Sequence, residues 1–394
     1  MKEASSVATA LPRSGIREVM ELAATLDGVI HLEVGEPSFT TPGHIIKAAH
    51  SAALDGFTRY TPNAGLPSVR RAVADHYTRR WGREVAPEQV LVTAGAVNAI
   101  AAMTFALVEE GDEVLIPDPG WPNYASIVAL SRAHIVRYPL RPENGYIPDV
   151  GDVAARLTSR TKLLLLNNPG NPTGAVFPAE TVEALVELGK RHELRIMSDE
   201  VYEALIFDGV HVPATRFDAD GRVIAVSGCS KTYAMTGWRL GWAIADPALV
   251  AIAGKVQEAL VSCPTAVSQR AAEAALLGSQ VCVEEMRAAY HRRRDLVREV
   301  LEPAGLLSSV PRGAFYALVD LRVTGLDSRA AMRLLLEEER VATAPGATFG
   351  EVAEGMVRIS LATAEDDLGE GCRRIRGFAE RHAGALTSAG LALG

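Results

Sequence analysis

The sequence predicts an α/β protein: a large domain with a mostly parallel central sheet flanked by helices, plus a smaller α+β domain. Three observations lead there. Short apolar, β-branched runs alternate with longer amphipathic stretches through the middle of the chain. Polar residues gather where those runs end. Beyond about Asp246 the alternation gives way to long helical stretches followed by short strand-like pieces. Continuous apolar strands separated by helices indicate a sheet buried on both faces.

Taken in order, Val90 to Thr93 reads as a strand and Gly95 to Glu109 as the helix after it. Glu113 to Ile116 is a strand closed by Pro117, and Ile135 to Tyr138, Lys162 to Leu166, Leu194 to Ser198 and Val223 to Ser227 repeat the pattern. Thr181 to His192 carries Val182, Leu185, Val186 and Leu188 at helical spacing. Further on, Ala314 to Val319, Val341 to Thr343 and Met356 to Ile359 read as strands, with helices after Ser328 and Asp366. The large domain is placed at 46–284, and the small domain at 1–45 together with 285–394. The first forty residues are expected to pack on the small domain, and the low-complexity C-terminal stretch from His382 is expected to fray.

Composition narrows the function. Over 394 residues, 48% hydrophobic and 22% charged residues suffice for a full core. A net charge of −8 argues against a nucleic-acid or anionic-membrane binder, which would show a basic face. Cys229, Cys263, Cys282 and Cys372 are dispersed without a C-x-x-C pair, which excludes a zinc ribbon or disulfide scaffold and fits a reducing compartment. The histidines show no metal-ligand spacing. The N-terminus lacks an apolar signal region and no apolar run reaches spanning length, so a cytoplasmic protein is expected.

Three patches follow strands of the inferred sheet, and strand C-terminal ends are where ligands collect in such sheets. In the first, Ser198-Asp199-Glu200-Val201-Tyr202, a carboxylate stands at the mouth of a buried strand and needs a partner, unless Asp199 simply caps a helix. In the second, Lys231 lies among small residues, where a desolvated amine becomes a Schiff-base nucleophile; Arg239 offers a donor fork suited to phosphate. In the third, Asn167 to Gly174, two prolines and two glycines fix a loop that presents Asn171. Each alone reads as ordinary loop chemistry. Together they supply the lysine, acid and cation that pyridoxal 5'-phosphate requires.

The chain resembles the class I/II aminotransferases of the fold-type I pyridoxal-phosphate superfamily. The resemblance runs from about Leu32 to about Ile375 through LEVGEPSFTTP, RYTPNAGLPSVRRAV, DPGWPNY, NNPGNPTG, SDEVYEAL, SKTYAMTGWRLGW, PRGAFYAL and VRISLATAEDDL. It implies that Lys231 holds the cofactor and shuttles a proton, while Asp199 pairs with the pyridine nitrogen. It further implies that Asn171 and Tyr202 bond the phenolate oxygen. The phosphate falls to Arg239, Ser230 and the backbone N–H groups of Gly95, Ala96 and Val97 at a helix start. Trp121 matches the aromatic stacking on the ring, and Tyr60 the tyrosine reaching a neighbouring subunit, hence a homodimer. Arg358 matches the clamp on the substrate α-carboxylate, with Gly35 beside it. Without the other motifs, a core aromatic would be the plainer assignment for Trp121 and a surface ion pair for Arg358.

Two departures from the family pattern matter. Gly228 stands where some relatives carry a phosphate-binding serine, leaving one contact fewer. Val97 stands where aspartate-preferring relatives carry a lysine for the distal carboxylate. A valine cannot pair with an anion, so a neutral, apolar or aromatic amino donor is expected over aspartate. Ping-pong transamination between an amino acid and a 2-oxo acid is the leading expectation. A β-lyase acting on cysteine-type substrates is the alternative, and a non-catalytic regulator of the same fold the third.

Overall fold

Runs of Val, Leu and Ile with no polar alternation build a sheet covered on both faces. The structure, a computed structural model, describes the backbone of residues 4–391 and the side chains of residues 4–383. Its strands are β1 (Ile30–His31), β2 (Val90–Thr93), β3 (Glu113–Asp118), β4 (His134–Pro139), β5 (Thr161–Asn167) and β6 (Arg195–Asp199). They continue with β7 (Val223–Gly228), β8 (Gly241–Ile244), β9 (Tyr316–Asp320), β10 (Val341–Ala342), β11 (Ala344–Pro345) and β12 (Met356–Ser360). Seven form one sheet in the order β2-β8-β7-β6-β5-β3-β4. Its pairings are parallel except those of β8, which runs antiparallel to both β2 and β7.

Strand β8 has no counterpart among the strands expected from sequence. It is four residues long and opens on a glycine, so it looks like the tail of a loop until its neighbours appear on both sides. Pro117 does not end β3, which continues to Asp118. Past Leu115 the strand pairs only with β4, so the missing proline N–H removes no bond on the β5 side. The helix after β2 spans Ala96–Leu107 and the one after β5 spans Ala179–Arg191, each close to its expected limits.

The second layer is a three-stranded antiparallel sheet, β11-β12-β9, with β1 and β10 paired in parallel beside it. The single strand expected over Val341 to Thr343 is split. Val341 and Ala342 pair with β1, whereas Ala344 and Pro345 pair with β12, and the chain changes partner at Thr343. Strand β9 starts two residues later than expected because Ala314 adopts a left-handed conformation (φ 57°). Val19, Ala23 and Leu32 pack into one core with Tyr290, Phe315, Leu335 and Phe378, so the N-terminal segment does join this layer. The C-terminal helix runs Glu365–Leu391, carrying most of the stretch expected to fray; residues 392–394 lie outside the described residues. Among the described residues no helix is long and apolar enough to cross a membrane.

Candidate active site

Strands β5, β6 and β7 are parallel neighbours, so the segments leaving their C-terminal ends emerge side by side. That places Asn171, Asp199, Tyr202, Ser230 and Lys231 on one cavity of about 310 Å³. Ala96, Val97, Trp121 and Arg239 line it from the same layer, and Gly35, Tyr316 and Arg358 from the other.

Asp199 ends β6 and is buried. No helix follows it; its Oδ1 instead accepts from the Val201 N–H at 3.3 Å, while Tyr124 Oη donates to Oδ2 at 2.6 Å. Burial drives its pKa up to about 6, an effect opposed by those two hydrogen bonds, added to by the Glu200 charge and opposed by Lys231. Glu200 itself sits in a buried group with Glu203 and His211, whose Nε2 lies 3.5 Å from Glu200 Oε2. A carboxylate so poorly solvated is a strong partner for a buried cation.

Lys231 projects from the short helix Cys229–Thr232 after β7, and its Nζ donates to the Gly35 carbonyl at 2.7 Å. Desolvation lowers its pKa to about 8; Arg358 and Arg239 push the same way, and Glu36 and Asp199 oppose them. Part of the side chain faces the cavity, but the amine is packed deeply enough for loss of water to dominate.

Arg358 lies on β12 and is fully buried. One terminal nitrogen donates to Asn171 Oδ1 at 3.2 Å and the other to the Glu33 carbonyl at 2.5 Å. The guanidinium also faces the Tyr316 and Phe349 rings, 4.3 Å and 4.8 Å from their centroids. Burial lowers its pKa, offset by Tyr316, Tyr202 and Glu33. Two carbonyls of one strap, Glu33 and Gly35, thus take bonds from two cations of the site, Arg358 and Lys231. Gly35 is required for this approach: a Cβ there would lie 2.3 Å from Tyr316 Oη.

At the opposite end, the helix Ala96–Leu107 points its N-terminus at the cavity. The first N–H groups of a helix lack internal partners, so those of Ala96 and Val97 are free to meet an anion. Gly95 departs from expectation: its N–H donates to the Thr93 carbonyl at 2.8 Å and is already used. What Gly95 contributes is a backbone with φ 82° and the absence of a Cβ, which would lie 2.7 Å from an Arg239 nitrogen. Arg239, itself left-handed at φ 52°, is held by a bond from Nη1 to the Thr236 carbonyl at 3.0 Å.

The remaining expected residues divide. Trp121 lines the cavity with its ring edge-to-face against Tyr124, centroids 5.4 Å apart. Tyr202 donates to Tyr316 Oη at 3.1 Å from a buried position. Tyr60 is not brought to this cavity; it is 90% exposed on the surface. Sequence reasoning passed over Tyr124 and Tyr316, although DPGWPNY and PRGAFYAL contain them. It also passed over Asn167, whose Oδ1 accepts from the Asn171 N–H at 2.7 Å and whose Nδ2 donates to the Asp199 carbonyl at 3.2 Å.

These groups fit a phosphorylated pyridine aldehyde. The amine is partly neutral near pH 8, the buried carboxylate can face a ring nitrogen, and a helix N-terminus beside a guanidinium can take a phosphate. Arg358 Nε is buried and unpartnered among the described residues, a donor still available to a ligand.

Comparison with known proteins agrees with this chemistry. Residues 27–375 match the family profile described as Aminotransferase class I and II. An aspartate aminotransferase of Pyrococcus horikoshii is 38% identical over 369 residues, covering 93% of this chain and 94% of that protein. An aromatic-amino-acid aminotransferase of Thermococcus litoralis is 39% identical, covering 92% and 94%. The solved structure of Thermus thermophilus aspartate aminotransferase with maleate superposes with a TM-score of 0.92 at 38% identity, covering 96% of this chain and all of that one.

Proposed function

The chain belongs to the class I and II aminotransferases, which are pyridoxal-phosphate enzymes, and from that premise we propose how its own residues divide the work of transamination. The observation that carries the reading is the meeting of Lys231, Asp199, Arg239 and Arg358 on one cavity. Bound there, pyridoxal phosphate supplies an electron sink for the pair left at Cα when its proton departs, and it carries nitrogen between two half-reactions.

Lys231 would hold the cofactor covalently and, once released by the substrate amine, take the proton from the substrate Cα. An amine with its pKa lowered to about 8 is suited to accept and return a proton near neutral pH. Asp199 would pair with the ring nitrogen and keep it protonated, and the Tyr124 hydroxyl favours the ionised carboxylate. Ala96, Val97, Ser230 and Arg239 would bind the phosphate, and Trp121 would cover the ring. Asn171 and Tyr202 would hydrogen-bond the phenolate oxygen. Arg358, with Gly35 beside it, clamps the substrate carboxylate and fixes the direction of the Cα–H bond. An amino acid then leaves as a 2-oxo acid, and a second 2-oxo acid takes up the nitrogen.

The donor in this reading is neutral, apolar or aromatic. Val97, Ile16, Trp121 and Val201 present apolar surface to the cavity, and a distal carboxylate against Val97 would be buried without a partner. Exposed Tyr60 completes the site of a second copy in a homodimer, and the enzyme works in the cytoplasm. A large part, 46–284, binds the cofactor, and 1–45 with 285–394 form the part that carries Arg358.

The test is the visible absorption of the holoenzyme after addition of single amino acids without an acceptor. Leucine or phenylalanine bleaches the cofactor band faster than aspartate does. A large aspartate advantage defeats the donor assignment, and no bleaching by any amino acid defeats the division of roles.

A further inference from the structure

The strap that touches Lys231 and Arg358 contains a buried acid to which the proposed reaction assigns no role. Glu33 is fully buried. Its backbone carbonyl accepts from Arg358, but among the described residues its carboxylate forms no hydrogen bond or ion pair with the guanidinium; instead His31 Nδ1 donates to Oε1 at 2.9 Å. The second oxygen, Oε2, is buried without a hydrogen-bond partner among the described residues, and so is Arg358 Nε. A carboxylate and a guanidinium on residues already in backbone contact each keep a buried polar atom unpaired. Leaving such atoms unmade is costly, so a direct pair between them would form unless something held them apart.

The backbone around them is fixed. Ile30 pairs with Val341, the Leu32 N–H donates to the Ala342 carbonyl at 3.0 Å, and the Ser360 N–H donates to the Leu32 carbonyl at 2.7 Å. Thr363 Oγ1 bonds the His31 carbonyl at 2.7 Å. With the strap anchored on both edges, the free variable is the Glu33 side chain, and its one side-chain partner is the half-exposed imidazole of His31.

We propose that His31 is a positioning residue that latches the Glu33 carboxylate away from Arg358, keeping the guanidinium open for the substrate carboxylate. The inference rests on the reading of Arg358 as the carboxylate clamp. Without the latch, Glu33 becomes a tethered competitor whose effective concentration exceeds that of free substrate. Such a competitor must leave before either substrate enters, so it raises both KM values and leaves the chemical step alone.

The experiment is steady-state kinetics of the holoenzyme. His31→Ala raises KM for the amino donor and for the 2-oxo acceptor by about tenfold, with kcat within about twofold. Adding Glu33→Gln to it removes the competing charge and returns both KM values to within about threefold of the parent. An unchanged KM in His31→Ala overturns the latch. A double variant no better than His31→Ala also overturns it, because the defect is then structural. Arg358→Gln is the control: if it leaves KM unchanged, the clamp reading fails and takes the latch with it, whereas a raised KM there beside an unaffected His31→Ala condemns the latch alone.

Discussion

Tyr124 Oη donates a 2.6 Å hydrogen bond to Asp199 Oδ2, and both residues are buried. Tyr124 comes from the helix Pro122–Leu130 after β3 and Asp199 from the end of β6, 75 residues apart in the chain. This bond favours the ionised carboxylate against a burial that raises its pKa to about 6.

Tyr124→Phe removes that support. A hydrogen bond to a charged acceptor contributes about 1.5 kcal/mol, so cofactor affinity falls roughly tenfold. The sign with pH follows from the loss: the Asp199 pKa rises further, fewer carboxylates are ionised in mild acid, and the defect is larger at pH 6 than at pH 8. Equilibrium dialysis of the cofactor at both pH values measures it; a defect independent of pH would argue that Tyr124 acts by packing.

The Lys231 amine should react as a weakly basic group. In the cofactor-free protein, acylation of Lys231 followed by peptide mass spectrometry titrates with a midpoint near the pKa of about 8 set by burial. The neutral amine is the nucleophile, so labelling rises with pH and levels off above that midpoint. A midpoint at the ordinary lysine value would show a solvated side chain.

Gly241 packs where no side chain fits. A Cβ there would lie 2.4 Å from the Ala96 backbone nitrogen, at the helix N-terminus assigned to the phosphate. Gly241→Ala displaces that terminus and costs about 2 kcal/mol of stability. It weakens phosphate-dependent binding more than it weakens binding of pyridoxal. Thermal unfolding and paired binding titrations separate the two effects.

Val97→Lys supplies the cation that the apolar wall lacks. The ratio of kcat/KM for aspartate over that for phenylalanine should increase by at least about tenfold. Stopped-flow half-reactions with each donor give the ratio, and an unmoved value would place the distal group of the substrate elsewhere.

Tyr60 supports a prediction about assembly. Lys231→Ala and Tyr60→Ala chains, each impaired alone, are mixed, dissociated and reassociated. If Tyr60 completes the neighbouring site, hybrids hold one intact site and activity returns to about a quarter of the parent. No recovery would assign Tyr60 to its own chain or to neither site.

How much of this was readable beforehand depended on the range of the interaction. The apolar runs of β2, β5, β6 and β7 are local patterns, and their limits match the structure to within about two residues. Asp199, Lys231, Asn171 and Arg358 were legible because each sits in a distinctive local motif, and the sheet order brings the first three to one rim. Strand β8 and the split at Thr343 were not legible, because an antiparallel insertion and a change of partner are defined by neighbours far along the chain.

The sequence by itself determined an α/β architecture, since composition and periodicity are properties of short segments, and the resemblance of its motifs pointed to an aminotransferase. Tertiary structure alone decided which donors and acceptors stayed free. Gly95 spends its N–H on Thr93, Tyr124 reaches Asp199, and Glu33 faces His31 while its carbonyl holds Arg358. A hydrogen-bonding group takes its partner from whatever folding brings within about 3 Å of it, and along the chain those atoms can be hundreds of residues apart.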